Sequence, residues 1–233
     1  MRVTAGFTGR FTDGAMSAPP YDTWNLGSHV GDDPDAVRAN RALLAQRTGV
    51  DPAELVFMEQ VHGPDVVVVD GRRGDPVPAA DAVITDVPGL ALVVLVADCV
   101  PVLLVDPATG VRAAVHAGRR GVANGIVTRT AEQLHAMGSK PWARLGPCIG
   151  GCCYEVGDDV YDEVVDVAPE AAATTRAGRR SLDLRRAVVA QLERAGVRQI
   201  SAEATCTVDD PRCFSFRRDG VTGRMAGVVS VLA

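Results

Sequence analysis

Aromatic residues are scarce in this chain: two Trp, three Tyr and five Phe among 233 residues, or 4%. Its interior must therefore be built mostly from Val, Leu and Ala. No apolar run approaches the roughly 18 residues that a membrane-crossing helix needs, so no membrane association is expected. The first residues, MRVTAGFTGRFTDG, contain no apolar signal core, and a cytoplasmic location with reduced thiols is the expectation. The six cysteines form no CxxC pair, which argues against a four-cysteine zinc ribbon. Positive charge is also in deficit: the net charge is -5 and the pI is near 5.4, against a nucleic-acid polymer as the main partner. A small anion in a local basic pocket remains compatible with that balance.

What is present is a chain long enough to bury a substantial core, 47% hydrophobic and 23% charged. It has no internal repeat, low-complexity tract or linker, and strand patterns reach both ends. Residues 1–233 therefore read as one domain.

The organising stretch runs from Leu90 to Gly121. It reads as an apolar strand, a polar break at Ala97-Asp98-Cys99, a second apolar strand, a turn, and a third strand ending at His116. The turn, Asp106-Pro107-Ala108-Thr109-Gly110, has the residues a tight reversal needs. With Ala108 at its midpoint, antiparallel partners have numbers summing to about 216. Cys99 and His116 then stand nearly opposite, where Cβ atoms lie about 4.5–5.5 Å apart. That separation suits two ligands of one ion, with Zn–S about 2.3 Å and Zn–N about 2.0–2.1 Å.

Around this stretch the pattern predicts a strand near Val3–Phe7 and then irregular backbone through residue 31. A helix follows, with Asp33 as N-cap, Pro34 at its first position and Gly49 at its end. A short helix starts at Asp51-Pro52. Phe57–Gly63, Val66–Val69 and Ala82–Thr85 read as strands, with a loop over 70–81. After His116, a Gly118–Gly121 turn leads into a helix carrying Ile126, Val127, Thr130, Leu134 and Met137 on one face. The first turn of that helix, beside Arg119 and Arg120, is a candidate anion site. Cys148, Cys152 and Cys153 read as small buried thiols. Helices over Val160–Val167 and from Asp183 to Gly196 follow, then strands at Val197–Ser201, Cys213–Gly220 and Met225–Leu232.

Of the four histidines, His135 sits on a predicted helix and His29 in a polar loop. His62 and His116 each end an apolar strand and precede a Gly. A Cys-His-His set of His62, Cys99 and His116 fits zinc and leaves a fourth position for water or substrate, the pattern of catalytic sites. Asp98 or Glu59 is the expected outer partner of a ligand imidazole, or a base. Cys99 and His116 also read as a Cys-His nucleophile pair, a use that leaves His62 without a role.

GFTGR, NLGSHVGDDPDAVRANR, QVHG, ADCVPVLL, AVHAGRRG, GPCIGGCCYEVG and FSFRRDGVTGR occur in that order. Together they resemble the motifs of the YfiH/DUF152 family, the laccase-domain or multicopper polyphenol oxidase-like proteins, from Gly6 to Met225. The resemblance implies an α+β fold, a single domain of four layers with two central mixed β-sheets flanked by helices. It implies that His62, Cys99 and His116 bind metal, Zn2+ or alternatively Cu2+, and are catalytic. The implied activity is zinc-dependent phosphorolysis of adenosine, inosine, guanosine and methylthioadenosine, with adenosine deamination. The partners are then a purine nucleoside and phosphate, in a monomer or dimer.

Asn25 and Gln60, within matching motifs, are candidate substrate residues. Arg119, Arg120, Arg217 and Arg218 are candidate phosphate ligands. Arg119 stands where the family usually has Trp, in HAGWRG. A peptidoglycan-precursor hydrolase is the alternative with the same metal. A copper polyphenol oxidase is disfavoured, because four histidines are too few for a multicopper centre.

Overall fold

The break at Ala97-Asp98-Cys99 is where the chain leaves one β-sheet and enters another. The computed structural model describes residues 2–232. In chain order its elements begin with β1 (Arg2–Phe7), α1 (Pro34–Thr48), β2 (Leu55–Val56), β3 (Val66–Val68), β4 (Ala82–Thr85), β5 (Ala91–Val96), β6 (Val100–Val105) and β7 (Arg112–Ala117). They continue with α2 (Arg119–Ala123), α3 (Ile126–Ala136), β8 (Trp142–Leu145), α4 (Asp158–Val165), β9 (Ala172–Thr174), β10 (Arg180–Leu182) and α5 (Leu184–Arg194). The last three are β11 (Ile200–Ala202), α6 (Phe216–Asp219) and β12 (Met225–Leu232).

Two mixed sheets result. One has four strands in the order β1-β12-β5-β2; the other has six, β11-β8-β6-β7-β4-β3. Helix α1 packs Leu44 and Ala45 onto Ala91, Val93 and Leu95 of the first sheet. The opposite face of the same strand, Leu92, Val94 and Val96, meets Leu103, Val105 and Ala114 of the second sheet. The far face of that sheet, Val102, Leu104 and Val115, is covered by Leu134 of α3 and Val188 of α5. The order helix, sheet, sheet, helix is a mixed α+β domain of four layers. Strands buried on both faces cannot alternate apolar with polar, which is why β5 and β6 read as unbroken apolar runs.

Local signals hold where they were strong. The Asp33 side chain accepts from Asp35 N–H, Pro34 opens α1, and Gly49 ends it with φ 74°. The Asp183 side chain caps α5 by accepting from Arg186 N–H.

Elsewhere the structure corrects the sequence reading. Phe57–Gly63 is not a strand beyond a single bridge at Met58, because Val61, His62 and Gly63 donate their N–H groups to one carboxylate instead of a neighbouring strand. Arg119–Ala123 is already helical, so the expected turn is the short helix α2. Cys213–Gly220 is not a strand either. Ser215 accepts from Arg218 N–H and caps the single-turn helix α6. The Val197–Ser201 strand lies later, at Ile200–Ala202, and β8, β9 and β10 are additional strands.

Arg112 is the largest fully buried side chain. Its guanidinium donates to the carbonyls of Val87, Leu90 and Gly110, tying the β4–β5 connection to the head of β7. Burial pulls its pKa down to about 10, against the pull of Asp86.

Candidate metal centre

His116 stands opposite Pro101 in the β6–β7 ladder, with partner numbers one higher in sum than the turn alone suggests. Cys99 is therefore diagonal to His116 rather than directly across from it. Side chains alternate along strands, so Cys99, Pro101 and His116 share the face that looks between the sheets. His62 reaches them from the irregular segment after Met58, held with φ 61°. One donor atom from each of His62, Cys99 and His116 lies within 4.8 Å of the others. The Cys99 Sγ to His62 Nε2 distance is 3.8 Å, and the imidazole rings of His62 and His116 meet edge to face, 4.7 Å between centroids. His116 is buried, Cys99 half-buried and His62 exposed, so the group opens to solvent on one side.

Asp81, rather than Asp98 or Glu59, orients this group. Its Oδ1 lies 2.7 Å from His116 Nδ1, and its backbone carbonyl accepts His116 N–H at 2.7 Å. The same carboxylate accepts the N–H groups of Val61 (3.1 Å), His62 (3.0 Å) and Gly63 (2.7 Å). One buried side chain thus fixes the loop that presents His62 and the tautomer of His116, leaving Nε2 toward Cys99. Burial pushes the Asp81 carboxyl up, but the His116 contact and the backbone N–H donors outweigh it and hold it below the usual carboxylate value. Asp81 immediately precedes β4, and the pairing of Ala82 with Val115 carries it to His116. Asp98, by contrast, accepts from Thr207 Oγ1 at 2.5 Å and from Arg217 N–H at 2.7 Å. Those two contacts hold its backbone at φ 96°, the bend that aims Cys99. Among the described residues, the Glu59 carboxylate accepts one long bond, from Ala79 N–H at 3.4 Å.

Burial works against a Cys99 thiolate, yet the neighbouring His116 and His62 imidazoles bring the thiol down to about 6. His116 is pushed down by burial but drawn up, to about 9, by Cys99 and Asp81. Gly118 completes the cradle. A Cβ there would sit 2.7 Å from His62 Cδ2 and 3.2 Å from Cys99 Sγ.

The remaining expected site residues divide. Arg119 bonds Glu163 at 2.9 Å, its positive charge acts on Tyr154, and the Arg217 guanidinium lies over the Tyr154 ring at 4.9 Å. Tyr154 is pushed up by burial and by the charge on Cys99. Arg120 is exposed on α2, and α2 has only five residues. Arg218 spends its guanidinium on the carbonyls of Thr207, Asp210 and Cys213 and on Asp219. The Gln60 side chain pairs with the backbone of Leu95, at 2.7 and 2.8 Å. Asn25 is buried and binds Asp32, Gly27 and Arg224 N–H. Their polar groups position the frame. Arg224, like Asp81, is a residue that sequence reasoning missed. Burial lowers its pKa, while the negative charges of Cys99 and Asp98 act in the opposite direction. It lies in the VTGR segment already noted for its resemblance, four residues beyond Gly220. His29 lies on an exposed loop, and desolvation of its ring by neighbouring groups, with the charges of Arg224 and Arg41, pushes its pKa down.

The chain matches the family described as multi-copper polyphenol oxidoreductase laccase over residues 4–232. It is 52% identical over 228 residues to a protein of Streptomyces coelicolor named purine nucleoside phosphorylase, covering 96% of this chain and 93% of that one. The crystal structure of the hypothetical protein YfiH of Bacillus licheniformis superposes with a TM-score of 0.91 at 34% identity, covering 98% of this chain and 92% of that one. A Neisseria meningitidis structure described under DUF152 gives a TM-score of 0.86 at 36% identity, covering 99% and 95%.

Proposed function

The chain belongs to the multi-copper polyphenol oxidoreductase laccase family, the YfiH-like proteins, and we propose that it is a metal-dependent purine nucleoside phosphorylase. The observation that carries this reading is the convergence of His62, Cys99 and His116 on one solvent-open point. The donor set fits zinc: one soft sulfur, two imidazole nitrogens, and a glycine where a Cβ would fill the space. It does not fit a multicopper centre, because His135 lies on α3 and His29 on a separate exposed loop. His62, Cys99 and His116 would hold the ion, which when bound supplies Lewis-acid charge beside the substrate.

The reaction requires a phosphate oxygen to bond to the sugar C1′ while the C1′–N bond breaks and its electron pair leaves with the purine. Arg217 lies over the Tyr154 ring, Arg119 adds its charge toward Tyr154, and Arg224 is coupled by charge to Cys99, a set suited to an incoming phosphate. Arg119, in place of an aromatic residue, brings a guanidinium whose charge is shared with Glu163 at 2.9 Å. Tyr154 Oη keeps its proton at neutral pH and can donate it in a hydrogen bond to a substrate oxygen or nitrogen. Asp81 keeps the His116 ring in one orientation throughout. Adenosine, inosine, guanosine and methylthioadenosine all present the same glycosidic bond. Deamination at the adenosine C6 is the second reaction we assign to the site: a water oxygen bonds to C6 while the C6–N bond to the exocyclic amine breaks and ammonia leaves, so it too needs an oxygen nucleophile held beside the purine.

The test is to incubate purified protein with inosine or adenosine, with and without phosphate, and identify the products. Free base and ribose 1-phosphate, formed only with phosphate, support the assignment. Base release that ignores phosphate, or none from a folded zinc-loaded protein, contradicts it. Inosine from adenosine reports the deaminase reaction separately.

A further inference from the structure

Cys152, Cys153, Cys206 and Asp209 form a second cluster, and we propose that it is a structural binding site for a thiophilic divalent ion such as Zn2+. One donor atom of each lies within 4.8 Å of all the others. Cys152 Sγ and Cys153 Sγ are 3.4 Å apart, and their distances to the Asp209 carboxylate oxygens are 3.8 and 3.7 Å. A tetrahedral ion with Zn–S of about 2.3 Å places its ligands about 3.8 Å apart along each edge. Four donors at that spacing form a closed set, as in structural sites, whereas the three donors at His62, Cys99 and His116 leave one position open.

The backbone is shaped for this. Gly150 accepts the N–H groups of Cys153 and Tyr154 in a turn that turns both sulfurs toward Cys206. Its own N–H donates to Cys206 Sγ at 3.2 Å. A Cβ at Gly150 would lie 3.2 Å from Cys152 Sγ and 3.5 Å from Cys206 Sγ, so the absent side chain leaves the sulfurs their room. Three thiolates and a carboxylate around a divalent ion leave surplus negative charge. Arg176 supplies the compensation: it binds Asp209 bidentately, with one contact at 2.8 Å, and reaches Cys153 Sγ at 3.4 Å.

The cluster is coupled to the first site through the chain itself. Cys206 is followed by Thr207, whose hydroxyl donates to Asp98, the residue that bends the chain into Cys99. An ion at the second site would therefore brace the loop 205–210 against the turn that aims Cys99. This assignment does not depend on which substrate the first site accepts.

The test uses Zn2+ alone as the probe. Chelator-stripped protein is alkylated with and without Zn2+, and each cysteine is mapped by peptide mass spectrometry. Zn2+ should protect Cys152, Cys153 and Cys206 together. Equal labelling of these three with and without Zn2+ overturns the proposal, and so does a Cys152–Cys206 or Cys153–Cys206 disulfide that persists in reduced, zinc-supplemented protein. Protection at Cys99 is read from a separate peptide and reports the first site on its own. In parallel, Cd2+ binding is followed by thiolate charge-transfer absorption. Cys99→Ala should keep most of that absorption, and Cys153→Ser/Cys206→Ser should lose most of it. The reverse ranking contradicts the assignment.

Discussion

Asp81 Oδ1 lies 2.7 Å from His116 Nδ1 and 3.0 Å from the backbone N of His62, so a single carboxylate sets both imidazoles. Asp81→Asn keeps the shape but turns one acceptor oxygen into a donor facing N–H groups. Metal affinity and nucleoside cleavage should fall about 10–100-fold, the usual loss for an outer partner of a metal ligand. Zinc titration and steady-state kinetics on the folded variant check this.

The same carboxylate links stability to acid. Its folded pKa lies below the ordinary 3.8, so its contribution is complete above pH 3.8 and is lost as the pH falls through the folded value. Denaturant unfolding of metal-free protein should show wild type losing stability below pH 3.8, and Asp81→Asn losing less over that range.

The Cys99 thiol titrates at about 6, because His116 and His62 outweigh the effect of burial. Cys148 and Cys213 are pushed up by burial, to about 12 and about 11. In chelator-treated protein, Cys99 alkylation should rise with pH to a plateau with its midpoint near 6, while Cys148 stays unreactive at neutral pH. A Cys99 midpoint near the ordinary thiol value contradicts the pairing with imidazole.

Gly118 has an extended backbone, φ -76° and ψ 172°, so alanine fits it without strain. Only the side-chain space is at stake. Gly118→Ala should fold with nearly wild-type stability but push His62 off its position, lowering kcat/KM by about a hundredfold. Thermal melting and kinetics separate these outcomes.

Arg112 is buried with three carbonyls as its partners. Arg112→Ala leaves those acceptors unpaired and opens a cavity, and should cost about 3–5 kcal/mol in chemical denaturation.

The site was legible in the sequence where contacts are local. Cys99 and His116 lie on one hairpin whose turn residues define the pairing to within one position. The two-faced burial of β5 and β6 was legible as unbroken apolar runs. What stayed hidden depends on distant pairing. Asp81 meets His116 only because β4 lies beside β7, and Asp81 itself reads as an ordinary loop residue before a short strand. The alternation of Phe57–Gly63 predicts a strand at His62, yet the N–H groups of His62 and Gly63 serve a carboxylate rather than a ladder. Strand β8 borrows its partners from β6 and β11, and PWARL alone carries too little pattern to announce it. Cys152 and Cys153 looked like core thiols; only the fold brings Cys206 and Asp209 to them.

The most direct test replaces the sulfur at the first site. Cys99→Ala, purified without added metal and shown to be folded, should lose one zinc equivalent per chain and its phosphate-dependent cleavage of inosine together. A folded Cys99→Ala protein that retains wild-type metal content and wild-type cleavage would contradict the account.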